Sequence, residues 1–138
     1  MIAGARFHHT GCLVPDLEAA VAGYQSLWGP DCASPISDVT AQSVRVCFVR
    51  PHPDSAALEL IQPAEGTSLH GQLGRGTSYY HVGYEVSDFD GAVAAATAAG
   101  CRCMSSFISA AFDGRRCIFL YTPQRHLIEL IEAAPSPC

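Results

Sequence analysis

The stretch "YHVGYEVSD", residues 80–88, reads as one buried strand that opens on a histidine and runs into a helix cap. An earlier stretch, "HHTGCLVPD" at residues 8–16, carries the same phrase. Laid over each other without a gap, His9, Gly11, Val14, Asp16, Ala20 and Val21 meet His81, Gly83, Val86, Asp88, Ala92 and Val93, an offset of 72. A second echo lies further on: "LELI" at 58–61 returns as "IELI" at 128–131, an offset of 70. Two separate matches at nearly one offset indicate an internal duplication.

Each copy follows one grammar. A strand at 6–14 or 79–87 is followed by an N-cap aspartate, Asp16 or Asp88. In the second copy Ser87 and Asp90 resemble a capping box. An amphipathic helix then spans 16–28 or 88–99 and closes on Gly29 or Gly100, each expected in a left-handed conformation. Three short strands complete each copy, at 32–40, 43–50 and 56–62, then at 101–108, 115–121 and 126–132. "PHPDS" and "FDGR" are the turns before the last or penultimate strand. The order is βαβββ, twice, in an α+β fold. One domain is expected over 1–138: module one at 5–62, a Pro/Gly-rich linker at 63–77 with room for one short helical turn, module two at 78–132, and a fraying tail at 133–138.

Composition narrows the class of function. The 138 residues carry a formal net charge of −5, and all eight Lys/Arg positions are arginine. With no basic run, nucleic acid is not an expected partner. No apolar stretch is long enough to span a membrane. The opening "MIAGARFHH" lacks the apolar core of a signal peptide, so a cytoplasmic protein is expected. The seven cysteines are odd in number and lack a C-x-x-C pair, which points to small buried hydrophobes rather than a disulfide framework.

The duplication brings four polar residues to notice. Glu59 and Glu129 stand among Leu and Ile in equivalent strands, and His9 and His81 begin the equivalent first strands. A lone strand histidine is usually a hydrogen-bonded core residue, and a lone strand glutamate usually faces water. Four such residues at repeat-equivalent positions point instead to one shared role. A buried carboxylate without a positive partner costs several kcal/mol. Two imidazoles and two carboxylates carry two negative charges and mixed N and O donors, a set suited to one divalent ion: Zn, Co, Ni, Mn or Fe. Glu85 shares a strand face with His81 and is a candidate accessory acid/base. His8, His52, His70 and His126 read as exposed or structural, and Arg75, Arg115, Arg116 and Arg125 suit either an anionic substrate or plain solubility.

At these residues the chain resembles the vicinal oxygen chelate superfamily, which joins glyoxalases, bleomycin-resistance proteins and dioxygenases. "HHTGCLVPDLEAAVAGY" (8–24) is similar to the opening of methylmalonyl-CoA epimerases, "YHVGYEV" (80–86) to a ligand-bearing strand, and "HLIELIE" (126–132) to the final ligand strand of epimerases and glyoxalase I. The resemblance covers Phe7 to Glu132. It implies two tandem βαβββ modules forming a half-open barrel around a metal held by His9, Glu59, His81 and Glu129. It implies a homodimer, a small-molecule substrate such as an acyl-CoA thioester, and proton abstraction beside a carbonyl through a metal-stabilised enolate, with Glu129 as the base. A glyoxalase-like lyase, or an enzyme acting on a small hydroxy-carbonyl metabolite, is the alternative within the superfamily. A metal-free ligand-sequestering resistance protein is the alternative of another class. The chain departs from some epimerases in having Val46, in "SVRVCFV" (43–49), where they carry a second catalytic glutamate. It also has no lysine for a CoA phosphate, and "FISAAFDGRR" (107–116) is less glycine-rich than the corresponding epimerase segment.

Overall fold

The computed structural model describes residues 1–135. In chain order the elements are β1 (Arg6–Leu13), α1 (Leu17–Trp28), β2 (Ser37–Val39), β3 (Val44–Val49), β4 (Ala57–Pro63), α2 (Ser68–Gly74), β5 (Tyr79–Val86), α3 (Phe89–Ala98), β6 (Arg102–Cys103), β7 (Phe107–Ser109), β8 (Arg115–Tyr121) and β9 (Leu127–Glu132). The chain divides into two compact units, one continuous at 9–80 and one built from 1–8 and 81 onward. The fold is α+β; the first copy has the order βαβββ, and the second repeats it with the strand after its helix divided into β6 and β7. Among the described residues no helix is long and apolar enough to cross a membrane.

In the first unit the strands run β2-β3-β4-β1. β1 and β4 are parallel, with Gly11 level with Glu59, and β3 pairs antiparallel with β4, with Phe48 level with Glu59. Side chains alternate across a sheet, so each strand presents two faces. One face carries Cys12, Cys47, Val49 and Leu60, and α1 lies on it through Leu17, Ala20, Val21, Tyr24 and Trp28. That helical spacing is the apolar stripe of an amphipathic helix. Leu17 has no exposed surface, and burying one such side chain contributes about 2 kcal/mol. Asp16 caps α1 by accepting from the Ala19 amide at 3.0 Å, and Gln62 Oε1 accepts from the Leu17 amide at 2.8 Å, tying the helix start to β4.

The second unit repeats the plan. β5 and β9 are parallel, with Gly83 level with Glu129, and β8 pairs antiparallel with β9, with Phe119 level with Glu129. Phe89, Ala92 and Ala96 of α3 pack on Val86, Ile118, Leu120 and Leu130. Residues 1–8 belong here: Ile2 lies against this core and the Phe7 ring meets Tyr84 edge-on at 5.8 Å.

Several expectations need correction. The stretch 32–40 is not one strand. Pro30–Cys32 is a 3-10 turn, Ala33 makes a single bridge to Val49, and only Ser37–Val39 is a strand, because Pro30 and Pro35 break the ladder. The stretch 101–108 divides likewise into β6 and β7. The cap of α3 is Asp88 alone, accepting from the Gly91 amide at 3.0 Å, while Asp90 turns outward to Arg116 rather than closing a capping box. Gly29 and Gly100 have φ of 99° and 89°, but Gly29 at ψ 160° is extended rather than left-handed helical. The linker holds a seven-residue helix, α2, longer than the single turn expected. Part of the tail extends the pairing, since the Ala133 amide donates to the Val86 carbonyl, and 136–138 lie outside the described residues.

Candidate metal centre

His9 and Glu59 form one buried pair. His9 is fully buried and Glu59 is 5% exposed, with His9 Nε2 3.4 Å from Glu59 Oε1. The strand register explains how they meet. Glu59 stands beside Gly11, which has no side chain to fill the space on β1, and the histidine is two residues earlier on the same face. Phe48 closes the other side of the glutamate, and its ring meets the His9 ring edge-on at 5.7 Å.

His81 and Glu129 form the equivalent pair in the second unit. They are 4% and 3% exposed, with His81 Nε2 3.6 Å from Glu129 Oε1. Gly83 again stands beside the glutamate, and Phe119 on its far side meets the His81 ring at 5.1 Å and 86°. Phe119 in turn stacks on Phe107 at 5.8 Å. The duplication thus reaches past the ligand candidates to their packing. Phe48 and Phe119 escaped the sequence reading, although their offset of 71 sits between the two offsets that revealed the repeat.

The donor chemistry of each pair fits half of a metal site. An N···O separation of 3.4–3.6 Å exceeds that of a good N–H···O hydrogen bond. It is close to the roughly 3.4 Å edge between two ligands that each lie about 2.0–2.1 Å from a tetrahedral ion. Each pair also buries a carboxylate, which favours a nearby cation.

The remaining candidates lie elsewhere. Glu85 is on the His81 face of β5, level with Ile131, and its Oε2 accepts from Arg115 Nη1 at 2.8 Å. Arg115 also donates to the carbonyls of Phe112 and Glu132. Arg116 bonds Asp90 and Glu132 and lies 4.7 Å over the Phe89 ring, a structural bracket between α3 and β8–β9. His8 meets Phe112 edge-on, His52 pairs with Asp54 in the exposed turn, His70 is exposed on α2, and His126 is exposed before β9. Arg125 is a turn residue at φ 68°, and Arg75 caps the end of α2. Val46 is buried in β3, level with Ile61.

The six described cysteines are free thiols, and Cys138 lies outside the described residues. Burial, reinforced by the Glu59 charge, pushes the Cys12 thiol up to about 11 from an ordinary 9.0. Burial also raises Cys47. A raised thiol keeps its proton in the folded state where the unfolded chain loses it. Its contribution is therefore intact below pH 9 and falls as pH rises towards 11. Urea unfolding at pH 10.5 should show a loss of about 2 kcal/mol attributable to Cys12 relative to pH 8. Cys12→Ala should flatten that part of the profile; an unchanged slope would show that Cys12 is not its source.

The family model described as Glyoxalase/Bleomycin resistance protein/Dioxygenase superfamily matches residues 8–119. The ethylmalonyl-CoA/methylmalonyl-CoA epimerase of Cereibacter sphaeroides is 33% identical over 104 residues, covering 73% of this chain and 75% of that one. The crystal structure of methylmalonyl-CoA epimerase from Mycobacterium tuberculosis superposes with a TM-score of 0.81 at 25% identity, over 98% of this chain and 94% of that one. A variant of the Streptomyces coelicolor methylmalonyl-CoA epimerase, in complex with 2-nitronate-propionyl-CoA, does so with 0.78 at 26% identity, over 96% and 98%.

Proposed function

The chain belongs to the glyoxalase/bleomycin resistance protein/dioxygenase superfamily, and from that premise we propose that it is a divalent-metal-dependent epimerase of acyl-CoA thioesters. The observation that carries the reading is the buried histidine–glutamate pair, built twice by one register of strands. The similarity to epimerases of ethylmalonyl- and methylmalonyl-CoA supports the substrate class. On this reading His9, Glu59, His81 and Glu129 together hold one ion, which is Zn, Co, Ni, Mn or Fe from the donor set.

When bound, such an ion stabilises the negative charge that develops on the thioester oxygen as the neighbouring carbon loses its proton. The chain supplies the rest. Glu129 takes the proton onto a carboxylate oxygen and returns it. The phenylalanines beside both glutamates keep water from their flanks. Inversion also needs a proton delivered to the opposite face. Val46 has no group to deliver it, so Glu85 or a water serves that role.

The reading is tested by incubating the protein with methylmalonyl-CoA in deuterated water, with hemithioacetals assayed in parallel. Deuterium should enter at the carbon between the two carbonyl groups, and with one strong base exchange should run ahead of inversion. Conversion of a hemithioacetal without exchange into the acyl-CoA would favour the lyase reading. Ligand binding without any turnover, by protein containing no stoichiometric metal, would favour a sequestering role.

A further inference from the structure

Independently of the metal centre, we propose that the second copy of the repeat holds a separate binding site on the helix side of its sheet, for a compact apolar ligand of about two fused aromatic rings. Three observations carry it.

The first is a cavity. A hollow of about 340 Å³ opens between α3 and the strands beneath it. Ala95, Ala96 and Ala99 form its helix wall, Leu120, Ile128 and Leu130 its floor, and Tyr84 and Ile2 close its sides. All of them belong to the unit built from residues 1–8 and 81 onward. Side chains alternate along a strand, so Ile128 and Leu130 face away from Glu129, and Leu120 faces away from Phe119. The hollow therefore lies behind the candidate metal centre and is not part of it.

The second is the origin of the space. In the first copy the same place between helix and sheet is filled. Tyr24 and Trp28 of α1 pack with Cys12, Val49, Leu58 and Leu60, their ring centres 4.9 Å apart. The offset of 72 puts Ala96 in the place of Tyr24 and Gly100 in the place of Trp28. The helix also stops sooner, at 10 residues in α3 against 12 in α1. One lost ring is offset from below, since Tyr84 stands where the first copy has Cys12. The lost indole is not made good: Ile2 packs against this core, yet the hollow stays open.

The third is chemistry. An apolar cavity of about 150 Å³ takes one benzene ring. A hollow of about 340 Å³ is thus the size of a two-ring system, which is what the first copy places there with its indole. No charged side chain lines it among the described residues. Thr122 at its rim is already committed, its Oγ1 accepting from the His126 amide at 3.1 Å. A ligand with polar groups would lose their hydration here and gain little in return. A rigid planar ligand also loses less conformational freedom on entry than a flexible chain does.

Titration of the full chain as purified with naphthalene, followed by amide chemical shifts, tests the site. The shifts should gather on α3, β8 and β9 and saturate. Ala96→Phe puts a ring into the hollow; it should weaken naphthalene about tenfold or more and raise the melting temperature of the free protein. Ala99→Leu fills the same space from the exposed end of the helix and should weaken binding about threefold or more, which keeps the test open if phenylalanine at 96 is too large. Ala94→Leu, on the exposed face of α3, should change nothing. Octanoate should bind about threefold more weakly than naphthalene, or less well still. A wild type with no saturable binding overturns the proposal, as does binding that survives both filling variants. Tighter binding of octanoate overturns the ring class in favour of an acyl chain. Self-association in sedimentation that Ala96→Phe abolishes overturns it by giving the face to a second copy.

Discussion

Glu129→Gln is expected to slow deuterium exchange into methylmalonyl-CoA by about 10³-fold, the scale on which a positioned general base contributes. Glutamine has nearly the shape of glutamate, so the packing beside Gly83 and Phe119 survives. Its amide oxygen still offers a lone pair to a cation, but it has no useful basicity. The variant should therefore keep its metal and lose its chemistry. Metal content and exchange rate measured on one preparation decide the matter. Full exchange with metal in place would remove Glu129 from the role of base and turn attention to Glu85.

Metal removal should have the second large effect, this time on stability. A ligand that binds only the folded state at 1,000 times its dissociation constant stabilises by about 4 kcal/mol. For a chain of this length that is about 14 °C in melting temperature. Chelation should abolish the shift and divalent metal should restore it. Glu59→Leu and Glu129→Leu alter different histidine–glutamate pairs. If one ion uses both pairs, each substitution alone should remove most of the shift. In chelator neither should melt much below wild type, because an apolar side chain replaces a buried carboxylate that has lost its cation. Retention of the full shift by either variant would mean that the ion does not depend on both pairs.

The duplication made much of this legible. Asp16 and Asp88 were readable as caps because a short acidic side chain before an apolar stripe does one thing well. His9, Glu59, His81 and Glu129 were readable because polar residues recurred at one offset inside apolar strands. Other features were hidden for physical reasons. Thr40–Gln42 and Ala110–Phe112 are matching 3-10 turns, each followed by a left-handed residue, Ser43 at φ 55° and Asp113 at φ 54°. Their sequences share almost nothing, since backbone geometry set by flanking strands tolerates many side chains. Only the second copy advertises its turn, with Gly114 after Asp113. The Arg115–Glu85 and Arg116–Asp90 pairs were equally out of reach, because they join residues about thirty and twenty-six positions apart.

The division of the chain has a consequence for its synthesis. The unit at 9–80 is continuous, whereas the other draws on residues 1–8 as well as 81 onward. On a ribosome adding roughly 5–20 residues each second, the continuous unit is complete and free to fold while its neighbour is still being made. Ile2 and Phe7 precede their partners Tyr84, Val86 and Leu130 by most of the sequence, so their packing waits until the later unit has been made. For about 5–15 s of synthesis these apolar side chains have no native surface to cover them.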